Sequence, residues 1–357
     1  MDSKPRTTLK RIAAELGVSP MTVSNAYNRP DQLSAELRER VFETARRLGY
    51  AGPDPLGRGL RRGRSGAIGV LYDTPLSYAF EDPAAVLFLR GLSSAVEEVG
   101  MGLWILPGSY PGERDAATVG GAMCDGIVVY SVAEGDPLVE AALERRLAAV
   151  IVDQPRIEGV PFVGIDDEKA ARTAAEHLLA LGHRHFGIVS FGLSPDGRAG
   201  IADADRQLSA RYPVSRARLA GYTAAISSAD ATFEATVYEC QGSRADLGKT
   251  AARVLLSRKS RPTAILATSD QLGLGVISAA REMNLSVPDD LSVVGFDDTP
   301  EAVSAVPSLT TIHQDHAEKG LRAGRLLLAK LRGETSPGSE LLPTRLVVRD
   351  STAPAPK

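Results

Sequence analysis

The chain has 357 residues, 43% hydrophobic and 24% charged, with a net charge of −3, which points to two or more domains of ordinary globular composition. Two distant cysteines, Cys124 and Cys240, without a CxxC or Cys/His cluster, exclude a disulfide scaffold and a zinc site and read as buried thiols. No apolar run approaches the roughly 18 residues of a membrane span, and the start lacks a secretory apolar core, so a cytoplasmic protein is expected.

The first 64 residues hold 13 Lys/Arg against 7 Asp/Glu, whereas the remainder hold 28 against 37. A basic head on an acidic body suits a nucleic-acid contact at the N-terminus. Leu9, Ile12, Ala13 and Leu16 keep the spacing of an amphipathic helix that Gly17 ends. Ser19-Pro20 then starts a second helix, as N-cap and first-turn proline, and Pro30 closes it. Val23, Ala26 and Tyr27 face inward; Pro20, Met21, Thr22, Ser24, Asn25 and Asn28 are left outward. Ser34 caps a third helix, whose stripe of Leu37, Val41, Ala45 and Leu48 completes a small core. Two short helices across a tight turn make a helix-turn-helix, whose second helix can enter a major groove.

The run TLKRIAAELGVSPMTVSNAYNRPDQLSAELRERVFETARRLGY resembles the headpiece of the lac repressor (LacI) family from end to end. The resemblance implies base reading by Pro20, Met21 and Asn25, and phosphate contacts from Thr8, Ser19, Thr22, Ser24, Asn28 and Tyr50. Where Asn25 stands the family often carries arginine, so an operator sequence cannot be borrowed. Residues 51–64 alone read as a linker rich in glycine, proline and arginine. PLGRGLR within them is similar to the family's hinge helix, which forms on DNA, and this implies Leu60 as a minor-groove wedge flanked by Arg58 and Arg61. Gly57, Gly59 and one extra residue before Pro53 depart from the family pattern.

From residue 65 apolar runs alternate with helical patterns. Strands are expected at 67–72, 102–106, 126–130, 149–152, 162–165, 186–190, 235–239, 264–267, 292–295 and 310–313. Helices are expected at 86–99, 168–181, 219–227, 247–257 and 272–282. Such alternation predicts parallel sheets flanked by helices, with ligands beyond the carboxyl ends of the strands. HLLALGHRHFGIVS, RLAGY, TSDQLGLGVISAARE, VPDDLSVVGFDD and LTTIHQD resemble the LacI core, which is similar to periplasmic sugar-binding proteins. The expected fold is therefore an all-α headpiece plus an α/β core of two parallel-sheet subdomains, periplasmic-binding-protein-like.

The resulting division is 1–50 headpiece, 51–64 hinge, 65–165 with 296–318 as one subdomain, 166–295 with 319–350 as the other, and 351–357 as a tail. The family pattern implies chain crossings near 165, 295 and 317, and an effector cleft between the subdomains. Arg218 and Asp297 match positions that usually face the effector. Asp153, Ser269, Asp270 and Gln314 lie at strand ends, and Asp73, Phe80 and Asp82 in the first long loop. Structural roles stand open beside these: Asp270 as cap of the helix at Gln271, and Asp297 as a brace between strands. Trp104 reads as core, and the stretch 192–217 as either a mobile lid or an exposed insertion.

A transporter's solute-binding protein would share the core but not the headpiece. His177, His183, His185, His313 and His316 belong to no catalytic or metal pattern, and no cofactor fingerprint is complete; His183 reads as a hydrogen-bonded loop residue. The expected protein is thus not an enzyme. It is a regulator, a repressor by resemblance, acting as a homodimer on a pseudo-palindromic operator under control of a carbohydrate or related metabolite.

Overall fold

The computed structural model describes residues 8–52, 65–106, 119–230, 233–335 and 338–356, and the chain divides into two compact units between Ser65 and Gly66. In the first unit, α1 (Leu9–Leu16), α2 (Pro20–Asn28) and α3 (Ala35–Arg47) pack around Ile12, Ala13, Val23, Ala26, Val41 and Ala45. Gly17 takes φ 65 and its N–H reaches the Ala13 carbonyl, a left-handed turn that glycine adopts without steric cost. Ser19 Oγ accepts the Thr22 N–H at 3.0 Å, and Ser34 Oγ accepts that of Leu37 at 3.2 Å. These caps stand where the sequence puts them.

The second unit has two lobes. The first is a parallel sheet of β1 (Ala67–Tyr72), β2 (Gly102–Leu106), β3 (Gly126–Tyr130), β4 (Ala148–Val152), β5 (Phe162–Gly164) and β12 (Ser339–Leu341), in the order β12-β5-β4-β3-β1-β2. It carries α4 (Tyr78–Glu81), α5 (Pro83–Glu97), α6 (Pro137–Glu144) and α13 (His316–Leu331). The second sheet contains β6 (His185–Ser190), β7 (Gly200–Ile201), β8 (Glu234–Glu239), β9 (Ala264–Ala267), β10 (Ser292–Asp297), β11 (Thr310–His313) and β13 (Arg345–Val347). Its order is β13-β11-β10-β9-β6-β8-β7, with only the edge strands β13 and β7 antiparallel. Around it lie α7 (Asp167–Ala180), α8 (Ala204–Leu208), α9 (Pro213–Ala229), α10 (Ala245–Leu256), α11 (Asp270–Glu282) and α12 (Pro300–Ser304). Strands β3 and β10 are buried along their whole length, as expected of parallel strands covered on both faces.

Sheet membership corrects the expected subdomains. Strand β11 pairs with β10, so 296–313 belongs to the second lobe. Helix α13 packs on α5, and β12 pairs with β5, so 319–341 belongs to the first. The chain therefore crosses at 165–166, 314–315 and 342–344; no crossing occurs at 295. The α13–α5 contact is close: a Cβ on Gly320 would stand 2.1 Å from the Phe88 carbonyl oxygen, and one on Gly91 1.8 Å from that of Ala317.

Two further expectations change, and the stretch 192–217, open between lid and exposed insertion, is a folded, largely exposed segment. Within it β7 pairs with β8, and Arg206 binds both Asp196 (2.7 Å) and Glu239 (2.7 Å). The supposed tail is built into the second lobe, where Ser351 Oγ donates to the Val293 carbonyl at 2.6 Å. Trp104 is 40% exposed, because β2 is a sheet edge. His183 is buried against Thr263, Ser292 and the Ala353 carbonyl, and both thiols are buried and free. No helix among the described residues is long and apolar enough to cross a membrane.

Candidate functional site

Helix α2 presents the face expected to meet DNA. Pro20 and Met21 are exposed, Met21 by 68%, although methionine usually seeks burial. Thr22 and Ser19 hydroxyls lie 2.9 Å apart, and Asn25 donates to Gln32 at 3.4 Å. Asn28 turns back along its helix, its amide nitrogen 2.9 Å from the Ser24 carbonyl and 3.2 Å from Ser24 Oγ. Thr8 is exposed just before α1, and the Tyr50 ring stands edge-on to Tyr27 at 6.1 Å. Arg58, Leu60 and Arg61 lie outside the described residues.

In the second unit, carboxylates and cations gather at the carboxyl ends of both sheets, where unpaired strand-end groups converge. Asp297 ends β10 with φ 118, and Asp153 follows β4 with φ 63. Such left-handed backbones in residues other than glycine concentrate at functional sites. Gln314, in the second crossing, donates Nε2 to Asp297 Oδ1 at 2.6 Å. Arg218 NH1 stands 3.8 Å from the same oxygen and His316 Nε2 3.5 Å. Arg218 donates Nε to Asp167 Oδ1 (2.8 Å) and NH1 to the Thr268 carbonyl (2.6 Å), with its guanidinium 3.6 Å over the Phe296 ring. Burial opposes its charge, yet Asp167 and Asp297 hold its pKa above the usual value. Lys319, fully buried on α13, joins Asp153 and Gln314.

The lobes touch at both sides of this cluster. Tyr212 donates to Asp73, Val214 N–H donates to Gln154 Oε1 at 2.8 Å, and Arg211 NH2 donates to the Glu134 carbonyl at 2.7 Å. Opposite, a cavity of about 490 Å³ opens between Tyr78, Glu81 and Asp82 of the first lobe and Ser243–Asp246 and Gln271 of the second. Burial, aided by the charge of Asp297, pushes the Asp82 carboxyl up to about 7.

The structure thus brings Asp73, Asp82, Asp153, Arg218, Asp297 and Gln314 to one cleft. Ser269 stands at its edge, its Oγ accepting the Leu272 N–H (3.3 Å) and bonded to Ser243 Oγ (2.7 Å). Asp270 is fully buried behind it. Its carboxylate accepts the Thr299 N–H (2.7 Å) and the Thr311 hydroxyl (2.6 Å), bracing β10, β11 and α12, while Ser269 rather than Asp270 caps α11. Phe80 is 62% exposed, on the solvent side of α4. Sequence reasoning missed Asp167, Tyr78, Ser243, His316 and Lys319. For the last two a signal existed: positions 316, 319, 320, 323 and 327 form one helical stripe, which places a histidine and a lysine among core residues.

A helix-turn-helix unit followed by a two-lobed α/β unit with a polar interlobe cleft defines a DNA-binding regulator with a ligand-binding body. Residues 8–52 match "Bacterial regulatory proteins, lacI family", and residues 175–352 match "Periplasmic binding protein-like domain". The chain is 46% identical over 355 residues to the HTH-type transcriptional regulator Rv3575c of Mycobacterium tuberculosis, covering 98% of each. Among solved structures, a LacI-family regulator from Corynebacterium glutamicum superposes with TM-score 0.74 at 38% identity, covering 99% of this chain and 100% of the other. The lac repressor dimer bound to operator and the anti-inducer ONPF superposes at 0.77 (26% identity, 98% and 99%). The CelR–cellobiose complex superposes at 0.68 (28% identity, 97% and 100%). The chain belongs to the lacI family of transcriptional regulators, a family of DNA-binding proteins rather than enzymes.

Proposed function

We propose that this regulator is a repressor. It binds a pseudo-palindromic operator as a symmetric dimer, and a sugar or related polyol in the interlobe cleft sets its operator affinity. The observation that carries this reading is the Asp297 carboxylate, which meets Gln314 from the crossing, Arg218 from the second lobe and His316 from α13 of the first. A ligand hydroxyl at Asp297 would engage groups from both lobes at once and so alter their closure. Two relatives support the class of partner: CelR holds cellobiose, and the lac repressor dimer sits on its operator.

In this reading α2 enters the major groove, with Pro20, Met21 and Asn25 toward base edges and Thr8, Ser19, Thr22, Ser24, Asn28 and Tyr50 toward phosphates. Leu60, between Arg58 and Arg61, wedges into the minor groove. The cost of unstacking is offset by the bent duplex it makes available. The test is selection of bound duplexes from a random DNA pool by the full chain, repeated with cellobiose and a panel of sugars. Enrichment of an inverted repeat whose recovery falls with one of these ligands is expected. Enrichment of no sequence, or of a single unrepeated site, contradicts the dimeric operator reading.

A further inference from the structure

We propose that the folded stretch 192–214 fastens the two lobes closed in the absence of any ligand, as a latch that opens as one unit. The latch consists of the protein's own bonds and does not depend on what the cleft binds. Its consequence for regulation rests on the reading of the cleft as the effector site: a ligand there meets lobes already closed, and opening is the motion left for it to control.

The latch is anchored in the second lobe before it reaches across. Glu239, buried at the end of β8, accepts the Leu193 N–H at 2.8 Å and takes Arg206 through Nε (2.8 Å) and NH2 (2.7 Å). Arg206 in turn holds Asp196 through two further bonds, of 2.7 and 2.9 Å. A guanidinium bound in fork fashion on each side fixes direction as well as distance. The Leu193 carbonyl then accepts the N–H groups of Arg211 (2.8 Å) and Tyr212 (3.1 Å), and Ser215 Oγ donates to the Gly192 carbonyl at 2.8 Å. Arg211 and Tyr212 thus project from a fixed base rather than from a free loop.

From that base, bonds run to three separate segments of the first lobe. Arg211 meets the turn after β3: its guanidinium donates to the Glu134 carbonyl at 3.1 and 2.7 Å and to the Gly135 carbonyl at 3.0 Å. Its own carbonyl accepts the Glu134 N–H at 2.8 Å. Tyr212 donates to Asp73, just after β1. The Val214 N–H donates to Gln154 Oε1 at 2.8 Å after β4, and Gln154, itself buried, is steadied by Ser131 Oγ at 3.2 Å. The Arg216–Glu134 pair, 3.6 Å apart and solvent-exposed on both sides, adds little. All these bonds span the same two bodies, so the lobes cannot part along this edge without breaking them together. Val214 and Gln154 are out of water, where a separated donor and acceptor are left unsatisfied.

None of these partners lines the cavity between Tyr78 and Ser243. One edge of the cleft is therefore fastened by protein groups alone, while the other keeps about 490 Å³ of space between the lobes. A molecule filling that space is not needed to bring the lobes together.

The test is hydrogen–deuterium exchange of the full chain without ligand or DNA, resolved to the single amides of Glu134 and Val214, with the amides of β3 and β9 as internal controls. In the natural chain both latch amides should exchange about a hundredfold or more below the unstructured rate. Arg211→Ala removes neither the Glu134 N–H bond nor the Val214–Gln154 bond, yet it should speed both amides by the same factor, about tenfold or more, and leave β3 and β9 unchanged. Tyr212→Phe, which removes one bond, should speed both equally and by less. Unprotected exchange at either amide in the natural chain overturns the latch. A rise at Glu134 without a rise at Val214 in Arg211→Ala also overturns it, since only the turn after β3 would then have loosened. Neither ligand nor DNA is present, so failure of the latch is distinct from failure of the effector reading.

Discussion

Arg218 and Asp297 stand 3.8 Å apart, a separation set by the commitments of Arg218 elsewhere. Its Nε is fixed to Asp167 at 2.8 Å and its NH1 to the Thr268 carbonyl at 2.6 Å, so the guanidinium supports Asp297 by charge without holding it. Asp297 therefore keeps hydrogen-bonding capacity toward the cleft. Arg218→Lys keeps the charge but not the planar fork or the stacking on Phe296. It should cost about 1–3 kcal/mol of stability, measured by chemical denaturation of the full chain.

Two carboxyls tie stability to pH. Burial, aided by Asp297, pushes Asp82 up to about 7 and Asp270 up to about 8. Folded, both groups hold their protons more tightly than unfolded. The folded chain thus binds more protons between about pH 4 and 8, and its stability falls as pH rises through that window. The slope approaches roughly 1.4 kcal/mol per pH unit for each group. Asp270→Asn can still accept the Thr299 N–H and meet Thr311, so it should fold and show a shallower decline. An identical slope in Asp270→Asn, by denaturation at pH 5, 6, 7 and 8, contradicts the assignment.

The Lys319–Asp153 pair joins α13 to the end of β4 within the first lobe. Lys319→Met leaves Asp153 facing an apolar neighbour and should cost about 3–5 kcal/mol. Lys319→Met with Asp153→Asn should cost less than Lys319→Met alone, because the uncompensated charge is gone. Equal losses in the single and double variants would show that Asp153 is satisfied by other groups.

Local order was legible in the sequence; long-range pairing was not. Strand β1 and its neighbours β2 and β3 fall at the residues that apolar runs and flanking turns indicate, and the caps Ser19 and Ser34 are those expected. The exchange of segments between lobes was invisible, because β12 pairs with β5 across more than 170 residues and no local pattern records it. Helix α13 was overlooked where a crossing was expected, and Lys319 and His316 went with it. Arg218 and Asp297 were visible as motif positions, but Asp167, 51 residues before Arg218, was not visible as its partner.

On the DNA face, Asn25→Ala should relax preference at one base position by about 1–3 kcal/mol, while Leu60→Ala should weaken all operators of the class. Competition binding against single-base operator variants separates the two. A uniform loss in Asn25→Ala would make it a phosphate contact.

The most direct test is the operator affinity of the full chain, by fluorescence anisotropy, with and without a ligand that raises its Tm, in the natural sequence and in Asp297→Asn. Linkage requires that a ligand which alters operator binding be altered equally by it. The natural chain should change operator affinity by about tenfold or more on ligand addition, equivalent to about 1.4 kcal/mol of coupling. Asp297→Asn should keep its unliganded operator affinity and lose that response. A response of undiminished size at the same ligand concentration in Asp297→Asn would contradict the account, since the cleft around Asp297 could not then be the controlling site.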